Sequence, residues 1–481
     1  MDLRFMTLPN SWHAEWSNLS ALVLGLGKSG FSVVDTLVEL GVKTSVVGKE
    51  ADPRLIELVE VIGSSFTASE DPSVLQSIGH VDFAIVSPGF PPSHPLILSL
   101  RSSGVQLLTD IDLAWRLRDK TDRKAEWITV TGTNGKTTVS ELTAAMLSAE
   151  GFRAVACGNI GVPILDTVRD PEGFDFLVVE LSSFQLHYLG EISALASAFL
   201  NLAEDHYDWH GGAENYFQAK SKIYTGSKSA IVFNEQDKKT FEAAQSAEVA
   251  DGCRGIAFSL FSPQRSAIGY VEDVLVDRAF LDNRAEEALE LATLDDIRSI
   301  AEPSAHLLAN IAAASALARA ASVSPAAIRK AISVFRLSPH RNQFVAEFEG
   351  VRYVNDSKAT NPHAADSSLK SYESVVWIVG GLLKGTSPAE LLKLHGPKLR
   401  AAVLIGKDSS EISRLFSELL PDLPIRVVSG EPVMDQAVRL AAELAQPGDT
   451  VLLAPAAASM DQFKDYADRG NQFIAAVGEL K

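Results

Sequence analysis

The sequence predicts an α/β protein of three domains with mostly parallel sheets, and three observations lead to this fold class. Apolar strands alternate with helical segments in each part of the chain, the pattern of parallel sheets covered by helices. Glycine-bearing turns join a strand to a helix at Gly25–Gly30 and again at Gly132–Gly135. The chain has 481 residues, more than one hydrophobic core usually serves. We expect domains at residues 1–123, 124–337 and 338–481.

The first domain begins with a β-turn-α-β unit, which predicts a Rossmann-like fold. An apolar strand at Ala21–Leu24 leads into the turn Gly25-Leu26-Gly27-Lys28-Ser29-Gly30. A helix then runs to Leu40, Gly41 is expected to cap it, and a second strand covers Val42–Val47. The turn has the G-x-G-x-x-G spacing, in which glycines let the backbone approach a bound phosphate. A glycine turn without a ligand is the alternative, because this spacing alone is a weak signal.

A further strand of the first domain supplies a second turn. Val81–Val86 is apolar and ends in Ser87-Pro88-Gly89, at the carboxyl edge where α/β sheets bind ligands. An NAD site would need an acid at the end of the second strand, but Gly48-Lys49 is followed only by the displaced Glu50. We therefore expect a Rossmann-like domain that does not bind NAD.

The second domain opens with the most specific motif of the chain. A strand at Ile128–Thr131 is followed by Gly132-Thr133-Asn134-Gly135 and by a helix that starts with Lys136-Thr137-Thr138. In such a turn, backbone N–H groups surround a triphosphate, the lysine meets its β- and γ-oxygens, and the first threonine hydroxyl meets Mg²⁺. Val130 stands where G-x-x-x-x-G-K-[ST] has its first glycine, so we expect a shortened P-loop. A chance turn before a helix is the alternative.

An acidic residue ends the next buried strand. Phe176–Glu180 is an apolar run whose last residue falls at the carboxyl end of a parallel strand. Beside a phosphate loop, such a carboxylate can reach a metal ion directly or through water. An acid at a strand end is otherwise more often solvated, so the assignment of Glu180 depends on the loop.

A histidine and three acids follow the apolar run Ala194–Leu200, within Glu204-Asp205-His206-Tyr207-Asp208. His206 and His210 have the spacing of a metal pair on a helix, but the residues between them fit no zinc motif. Lys220 lies further along the chain, and on sequence physics alone it is expected to be a solvated lysine. The local sequence leaves the roles of these residues open.

An alanine-rich helix at Ala305–Ala321, which carries Asn310, is expected to pack closely on its neighbours. The third domain begins near Leu337 and is a smaller Rossmann-like layer. Its predicted strands, with helices between them, are Val375–Val379, Ala402–Ile405 and Thr450–Ala454.

Composition restricts the partners of the protein. The chain has 43 basic and 61 acidic residues, a net charge of −18, which argues against nonspecific binding to nucleic acid or an anionic membrane. Cys157 and Cys253 are its two cysteines, too few for a disulfide framework or a cysteine-based zinc site. No apolar run is long enough for a membrane span and no signal sequence is evident. We expect a cytoplasmic monomer.

Several motifs occur in one order and together resemble those of the Mur ligases of peptidoglycan synthesis. They are Gly132–Thr138 (GTNGKTT), Glu180–Leu186 (ELSSFQL), Glu204-Asp205-His206, Ala219-Lys220, Pro339-His340-Arg341, Asn355–Asn361 (NDSKATN) and Asp461-Gln462-Phe463. The resemblance extends from about Leu22 to the C-terminus. The phosphate loop is shared with folylpolyglutamate synthases, whereas ELSSFQL and NDSKATN are closer to the branch of the family that adds D-glutamate.

The resemblance implies roles for the matching residues. Those implied for ATP are Gly132, Thr133, Asn134, Gly135, Lys136, Thr137, Thr138, Asn310, Arg341 and Asp356. Two Mg²⁺ ions would be held by Thr137, Glu180, His206 and Lys220, the last as a CO₂-derived carbamate. The residues implied for catalysis are Lys136, Glu180, His206 and Lys220. The residues implied for the UDP-linked substrate are Gly27, Lys28, Ser29, Ser87, Pro88, Gly89 and Asn159. Those implied for D-glutamate are Lys358, Thr360, Lys384, Ser459, Met460 and Tyr466.

The activity implied by the resemblance is ATP-dependent ligation of D-glutamate to UDP-N-acetylmuramoyl-L-alanine through an acyl phosphate. Three departures from the family pattern stand out: Tyr466 replaces a phenylalanine, Gly48-Lys49 replaces the uridine-contacting Asp-Thr, and the residues before Ser20 have no counterpart. A folylpolyglutamate synthase, an NAD-dependent dehydrogenase and a non-catalytic nucleotide sensor are the alternatives. The glycine turn of the N-terminal domain argues against a folylpolyglutamate synthase. The combination of His206, Lys220 and a third domain argues against a dehydrogenase and against a nucleotide sensor.

Overall fold

The structure is a computed structural model that describes residues 8–480. Within this range the strands form three sheets, which are wholly or mainly parallel. The predicted class, three α/β domains with mostly parallel sheets, is confirmed. The described chain divides into two compact units: one contains the chain up to Leu202 and Trp209–Phe335, and the other contains Ala203–Asp208 and the chain from Arg336 onward. The boundaries at residues 123/124 and 337/338 stay predictions.

The first sheet is built on the predicted β-turn-α-β unit. Its elements are β1 (Ser20–Leu24), α1 (Lys28–Glu39), β2 (Lys43–Gly48), α2 (Pro53–Val61), β3 (Ser65–Ala68), α3 (Val74–Ile78), β4 (Phe83–Val86), α4 (Pro95–Ser102), β5 (Gln106–Leu108) and α5 (Asp110–Leu117). The strand order is β3-β2-β1-β4-β5, parallel throughout. The order reverses between β1 and β4, so a crevice opens at their carboxyl ends, where both predicted turns lie.

Two local features refine the predicted bounds of the first domain. Gly41 has φ 78°, the left-handed conformation expected just beyond the end of α1. β4 begins at Phe83 rather than at the predicted Val81. Asp82 instead accepts the backbone N–H of Ser20 through its carboxylate, at 2.7 Å.

The second sheet contains the strand that leads into the phosphate loop as one of its inner strands. Its elements are β6 (Glu126–Thr131), α6 (Lys136–Glu150), β7 (Ala154–Gly158), α7 (Ile164–Val168), β8 (Phe176–Glu180), α8 (Ser183–Tyr188), β9 (Ala196–Phe199), α9 (Tyr207–His210), α10 (Ala213–Ser221), β10 (Ala230–Asn234), α11 (Lys238–Gln245), β11 (Arg254–Phe258), β12 (Ala267–Val271), β13 (Val274–Asp277), β14 (Leu289–Thr293), α12 (Leu294–Arg298), α13 (Ala305–Ala320) and α14 (Pro325–Val334). The order is β14-β13-β12-β11-β10-β9-β6-β8-β7, and only the pairs β12–β13 and β13–β14 are antiparallel among the described strands. β8 and β9 therefore flank β6, which brings the ends of three chemistry-bearing strands together.

The alanine-rich helix packs as its composition predicts. α13 lies against α6, and Ala312, Ala313 and Ala314 have no exposed surface. At 16 residues α13 is the longest of the described helices, yet no helix within residues 8–480 is long and apolar enough to cross a membrane. Close packing on α6 carries Asn310 toward the phosphate loop.

The third sheet belongs to the second compact unit. Its elements are β15 (Gln343–Phe348), β16 (Val351–Asn355), α15 (Pro362–Lys370), β17 (Val375–Gly380), α16 (Ala389–His395), β18 (Leu399–Ile405), α17 (Ser410–Leu419), β19 (Ile425–Val427), α18 (Val433–Leu444), β20 (Thr450–Leu453) and α19 (Tyr466–Gly478). The order is β15-β16-β20-β17-β18-β19, and among the described strands of this sheet only the pair β15–β16 is antiparallel. The carboxyl ends of β16, β20 and β17 are thus neighbours.

The segment before Ser20 packs onto the first sheet. Trp16 is buried and meets Phe83 edge-to-face, with ring centroids 6.4 Å apart. The backbone N–H of Trp12 donates to a carboxylate oxygen of Asp119 at 2.7 Å. This segment therefore extends the first core and braces the chain that leads to the second sheet.

Candidate active site

The phosphate loop connects β6 to α6 with the predicted geometry. Gly135 has φ 84°, in the left-handed region that favours glycine, and α6 begins at the next residue. A Cβ atom at this position would lie 2.4 Å from Oδ1 of Asn310. The N-cap residue Gly135 has no side chain that could cap α6, so the N-terminus of this helix has the form of an anion-binding site. Asn310 thus lies against the loop, as its predicted nucleotide role requires.

Asn201 fixes the shape of the loop, a role that the sequence did not reveal. Its Oδ1 accepts the N–H of Asn134 at 2.9 Å, and its Nδ2 donates to the carbonyl of Asn134 at 3.1 Å. Its own carbonyl accepts the N–H of Thr133 at 3.0 Å. Asn201 lies two residues beyond the end of β9, so its position beside the end of β6 was the available signal.

Two lysines meet at the base of the loop. Nζ of Lys136 donates to the carbonyls of Gly132 and Thr133 at 2.9 and 3.0 Å. Nζ of Lys220 donates to the same Gly132 carbonyl at 2.8 Å and lies 3.4 Å from Oγ1 of Thr131. The expectation of a solvated Lys220 is wrong, because its exposed fraction is 2%. Helix α10 delivers this amine into the interior beside the phosphate loop.

Glu180 is the acidic residue of the site. It is 2% exposed, and its Oε1 accepts a hydrogen bond from Nδ2 of Asn159 at 2.9 Å. Its buried Oε2 has no hydrogen-bond partner among the described residues. A buried carboxylate oxygen left in this way is costly unless a cation or donor joins it. Together with the hydroxyl-bearing Thr137 at the start of α6, it has the oxygen donors that Mg²⁺ prefers.

No three His, Cys, Asp or Glu side chains converge as a metal cluster within residues 8–480. The set predicted for Mg²⁺ does not require one, because it includes a threonine and a carbamate, and the nucleotide phosphates would supply further oxygens. The donor types present therefore fit a nucleotide-bound magnesium better than a protein-only metal centre.

A cavity of about 110 Å³ lies where the first sheet meets the second. Ser29 from the glycine turn, Ser87 and Pro88 from the second turn, and Asn159 from the end of β7 line it. Gly27, Lys28 and Gly89 lie on the same two turns but do not line this cavity. Asp110 and Gln185 also line it; Gln185 belongs to the ELSSFQL motif, but the sequence alone assigned neither residue a role.

His206 does not form a helical metal pair with His210. It has φ 54° and precedes α9, so the two residues do not share a helix face. Its Nε2 lies 3.5 Å from Oδ1 of Asp205. Nε2 of His210 lies 2.9 Å from the hydroxyl of Ser183. The two-histidine alternative is therefore wrong.

In the second compact unit, Lys384 forms a buried ion pair with Asp205. The Nζ–Oδ1 distance is 2.7 Å, and the two side chains are 12% and 8% exposed. Nδ2 of Asn361 donates to the other oxygen of Asp205 at 3.3 Å. Lys384 also adopts φ 54°, so the loop after β17 is held in a specific conformation.

The other residues predicted for D-glutamate follow neighbouring strands of the third sheet. Lys358 and Thr360 follow β16. The ammonium group of Lys358 lies 3.7 Å from the ring centroid of Tyr466. Ser459 and Met460 follow β20; the serine is 3% exposed and the methionine 69%. With the loop after β17, these positions form one carboxyl edge, where α/β sheets bind ligands.

Arg469 supports this edge from beneath and was not predicted. It has no exposed surface, and its guanidinium donates to the carbonyl and hydroxyl of Ser357 at 2.9 and 3.0 Å and to the carbonyl of Ala457 at 3.2 Å. Burial lowers its pKa to about 9, an effect that the Asp461 carboxylate opposes. It therefore joins the loop of Lys358 to the loop of Ser459.

Asp356, one of the residues predicted for the nucleotide, is already engaged in several hydrogen bonds. It accepts the N–H of Asn342 at 3.1 Å and the hydroxyl of Ser368. Burial raises its pKa, while these bonds and the nearby Arg341 act in the opposite direction. Asp356 thus organises the turn that carries Arg341.

Comparison with known proteins assigns the family. Models described as the Mur ligase MurD-like N-terminal domain, the Mur ligase middle domain and the Mur ligase glutamate ligase domain match residues 19–109, 130–318 and 340–457. A "UDP-N-acetylmuramoylalanine--D-glutamate ligase" of Leifsonia xyli is 51% identical, covering 98% of this chain and 94% of the relative. The chain is a Mur ligase.

Further relatives of this Mur ligase agree. A protein of the same name from Tropheryma whipplei is 43% identical over 98% of both chains. The solved UDP-N-acetylmuramate-alanine ligase of Thermotoga maritima superposes with a TM-score of 0.58 at 16% identity, covering 96% of this chain and 100% of that one. The structural likeness supports the fold of this Mur ligase, and the sequence likeness supports its family.

Proposed function

We propose that this Mur ligase joins D-glutamate to UDP-N-acetylmuramoyl-L-alanine with the energy of ATP. The observation that carries the proposal is the link between the cavity and the phosphate loop: Asn159 lines the cavity and donates to Glu180 beside β6. A substrate carboxylate held by Asn159 would lie next to the phosphates of ATP. The name shared by relatives of more than two-fifths identity supports the choice of substrates.

The reaction needs activation because a carboxylate is a poor electrophile. The L-alanyl carboxylate attacks the γ-phosphorus of ATP, and ADP leaves as the acyl phosphate forms. The amine of D-glutamate then attacks the acyl carbon, loses a proton, and the tetrahedral intermediate expels phosphate to leave the amide. Lys136 acts chiefly by holding and neutralising the transferring phosphoryl group, which is what phosphoryl transfer demands of a protein.

Magnesium would be held at this loop by Thr137 and Glu180, and at a second position by Lys220 as a carbamate, with His206 as a further proposed ligand. When bound, Mg²⁺ supplies charge neutralisation at the phosphate oxygens. The neutral amine of Lys220 would take up CO₂ to give a carbamate and release a proton. This conversion turns a buried cation into an oxygen ligand.

D-Glutamate would bind at the carboxyl edge of the third sheet. We assign it Lys358, Thr360, Lys384, Ser459, Met460 and Tyr466. Two lysines suit an amino acid with two carboxylates, since a neutral analogue would lose the charge-assisted hydrogen bonds that a carboxylate makes to them. We also propose that the protein acts in the cytoplasm as a monomer.

The test is phosphate release from ATP with UDP-N-acetylmuramoyl-L-alanine and one amino acid at a time. D-Glutamate should support turnover, and L-glutamate, L-lysine and diaminopimelate should support at least about a hundredfold less, because a misplacement of ~1 Å costs about that factor in rate. Faster ligation of L-glutamate or a diamino acid would contradict the substrate assignment. Absence of turnover with every amine would contradict the ligase activity itself.

A further inference from the structure

The cavity between the first two sheets has polar groups that the proposed mechanism does not use. Asp110 is the first residue of α5, and Gln185 lies on α8, the helix that follows strand β8 of the second sheet. Both line the cavity together with Ser29, Ser87 and Asn159. Four of these five side chains are uncharged, so the protonation state of Asp110 determines the charge of the cavity wall.

The carboxyl group of Asp110 is held in one orientation. Its Oδ1 accepts the N–H of Ile111 at 3.1 Å and Nε2 of Gln185 at 3.4 Å. Gln185 is oriented in turn, because its Oε1 accepts both the N–H and the hydroxyl of Ser182 at 3.1 Å. Asp110 retains 8% exposure. One side of the carboxyl is therefore fixed, while the group remains part of the cavity wall.

The surroundings of Asp110 favour its neutral form. Among the described residues it forms no ion pair, and the titratable groups near it are Asp112 on the same helix and Cys157 on β7. Burial raises the pKa of Asp110 to about 6, the hydrogen bonds from Gln185 and from the N–H of Ile111 oppose this rise, and the charge of Asp112 adds to it. Burial also raises the pKa of the Cys157 thiol to about 12, so that neighbour is uncharged.

We propose that Asp110 is a substrate-binding residue whose protonated carboxyl donates a hydrogen bond to an oxygen of UDP-N-acetylmuramoyl-L-alanine in this cavity. The inference rests on the proposed function, which supplies a substrate with a diphosphate and a carboxylate. An ionised Asp110 would repel these anions across a weakly screened cavity, whereas the neutral acid can donate. Binding then takes one proton from solution: ionised enzyme, substrate and H⁺ give the complex with neutral Asp110.

The test is calorimetric titration of the full-length enzyme with UDP-N-acetylmuramoyl-L-alanine, without ATP, from pH 5.5 to 8.5 in buffers of different ionisation enthalpy. The wild type should take up a proton near pH 7, and its Kd should rise as the pH increases above about 6. Asp110→Asn keeps a donor that cannot ionise, so it should bind with a flatter pH profile and less proton uptake. Asp110→Ala should bind roughly tenfold more weakly at pH 6, because a hydrogen bond to a charged group is lost.

The matched control is Asp166→Asn. Asp166 on α7 accepts the hydroxyl of Ser32 on α1 at 2.6 Å, so it also joins the first two sheets but lies outside the cavity wall. It should leave the Kd and its pH profile unchanged, which separates substrate binding from support of the junction. Wild-type Kd and pH dependence in Asp110→Ala would overturn the inference while the proposed function stands. A wild type that neither binds nor turns over this substrate would overturn both.

Discussion

Lys136 and Lys220 donate to the same oxygen, the carbonyl of Gly132, at 2.9 and 2.8 Å. Two ammonium groups on one carbonyl repel each other, and the repulsion is screened poorly at a buried site. A triphosphate on the loop would relieve it by neutralising Lys136. A carbamate on Lys220 would relieve it by reversing the sign of that charge. This relationship therefore explains why an anion at either position is favourable.

Replacement of Lys136 by alanine should stop turnover but spare binding of the UDP-linked substrate. The lysine belongs to the phosphate loop, whereas the cavity that we propose for the UDP-linked substrate is lined by other residues. We expect kcat to fall by much more than tenfold, because the activation barrier should rise by more than ~1.4 kcal/mol. Phosphate release measures kcat, and calorimetry measures binding of UDP-N-acetylmuramoyl-L-alanine.

The control for this variant is Lys239→Ala. Lys239 is a partly exposed lysine of the same domain, paired with Glu242 at 2.9 Å, and a surface pair of this kind contributes little. Its removal should leave kcat unchanged. If Lys136→Ala retained more than about a tenth of wild-type kcat, Lys136 could not hold the transferring phosphate.

Lys220 should carry a carbamate when bicarbonate is present. ¹³C-labelled bicarbonate should give a carbonyl resonance that Lys220→Ala lacks, measured without acidification because acid releases CO₂. The variant should lose most activity, and a small carboxylate such as acetate should restore part of it by replacing the missing oxygens.

Lys222→Ala is the matched control for Lys220. Lys222 lies two positions further along, is exposed, and donates to the carbonyl of His187 at 2.8 Å. It should keep both activity and the labelled resonance. Full activity of Lys220→Ala in the absence of any added carboxylate would rule out the carbamate.

The fold and the phosphate loop were predictable because their signals are local. The strand that ends at Glu180 is a continuous apolar run up to its last residue, the strand that ends at Thr131 is rich in β-branched residues, and the helix from Lys136 follows a glycine in the left-handed conformation. Local order of this kind is written into consecutive residues. Strand ends shifted by one or two residues, as at Val81, because side-chain contacts decided where pairing begins.

The features of the site that local sequence did not predict depend on contacts distant in sequence. Lys220 is buried only because α10 packs beside the phosphate loop, and Asn201 braces a turn that precedes it by 67 positions. Arg469 reaches back 112 positions to Ser357. Nothing in the residues around such positions specifies the partner, so composition and spacing alone could not assign them.

Glu180→Gln should separate stability from activity. The amide keeps the shape of the side chain and can keep the contact with Asn159, while the buried charge is removed. Because Oε2 of Glu180 lacks a hydrogen-bond partner in the described protein, the free energy of unfolding should stay equal or rise by about 1 kcal/mol. Turnover should fall at least about a hundredfold, as expected when a metal-site group is lost. Calorimetric melting without nucleotide and phosphate release measure the two effects.

The control for Glu180 is Glu242→Gln, an exposed glutamate paired with Lys239. It should change neither quantity appreciably, since surface pairs contribute little. A Glu180→Gln enzyme that was much less stable yet active would identify Glu180 as a structural residue.

Arg469→Lys should weaken D-glutamate recognition without affecting the UDP-linked substrate. A lysine cannot reproduce the planar fork that reaches Ser357 and Ala457 together, so at least one buried carbonyl would lose its donor. The loops that carry Lys358 and Ser459 would then shift relative to each other. We expect kcat/KM for D-glutamate to fall by about ten- to a hundredfold, the cost of displacing a bound group by ~1 Å, with a loss of about 1–3 kcal/mol in stability.

Binding of UDP-N-acetylmuramoyl-L-alanine separates this effect from general destabilisation. The residues proposed to bind this substrate lie in the first compact unit, and Arg469 lies in the second, so the Kd of this substrate should match the wild type below the melting temperature. Arg414→Lys is the control, because Arg414 is exposed and pairs with Glu418 on its own helix at 2.8 Å. It should leave the KM for D-glutamate unchanged. If Arg469→Lys lowered the melting temperature but kept the wild-type KM for D-glutamate, Arg469 would stabilise the third sheet without positioning the amino acid.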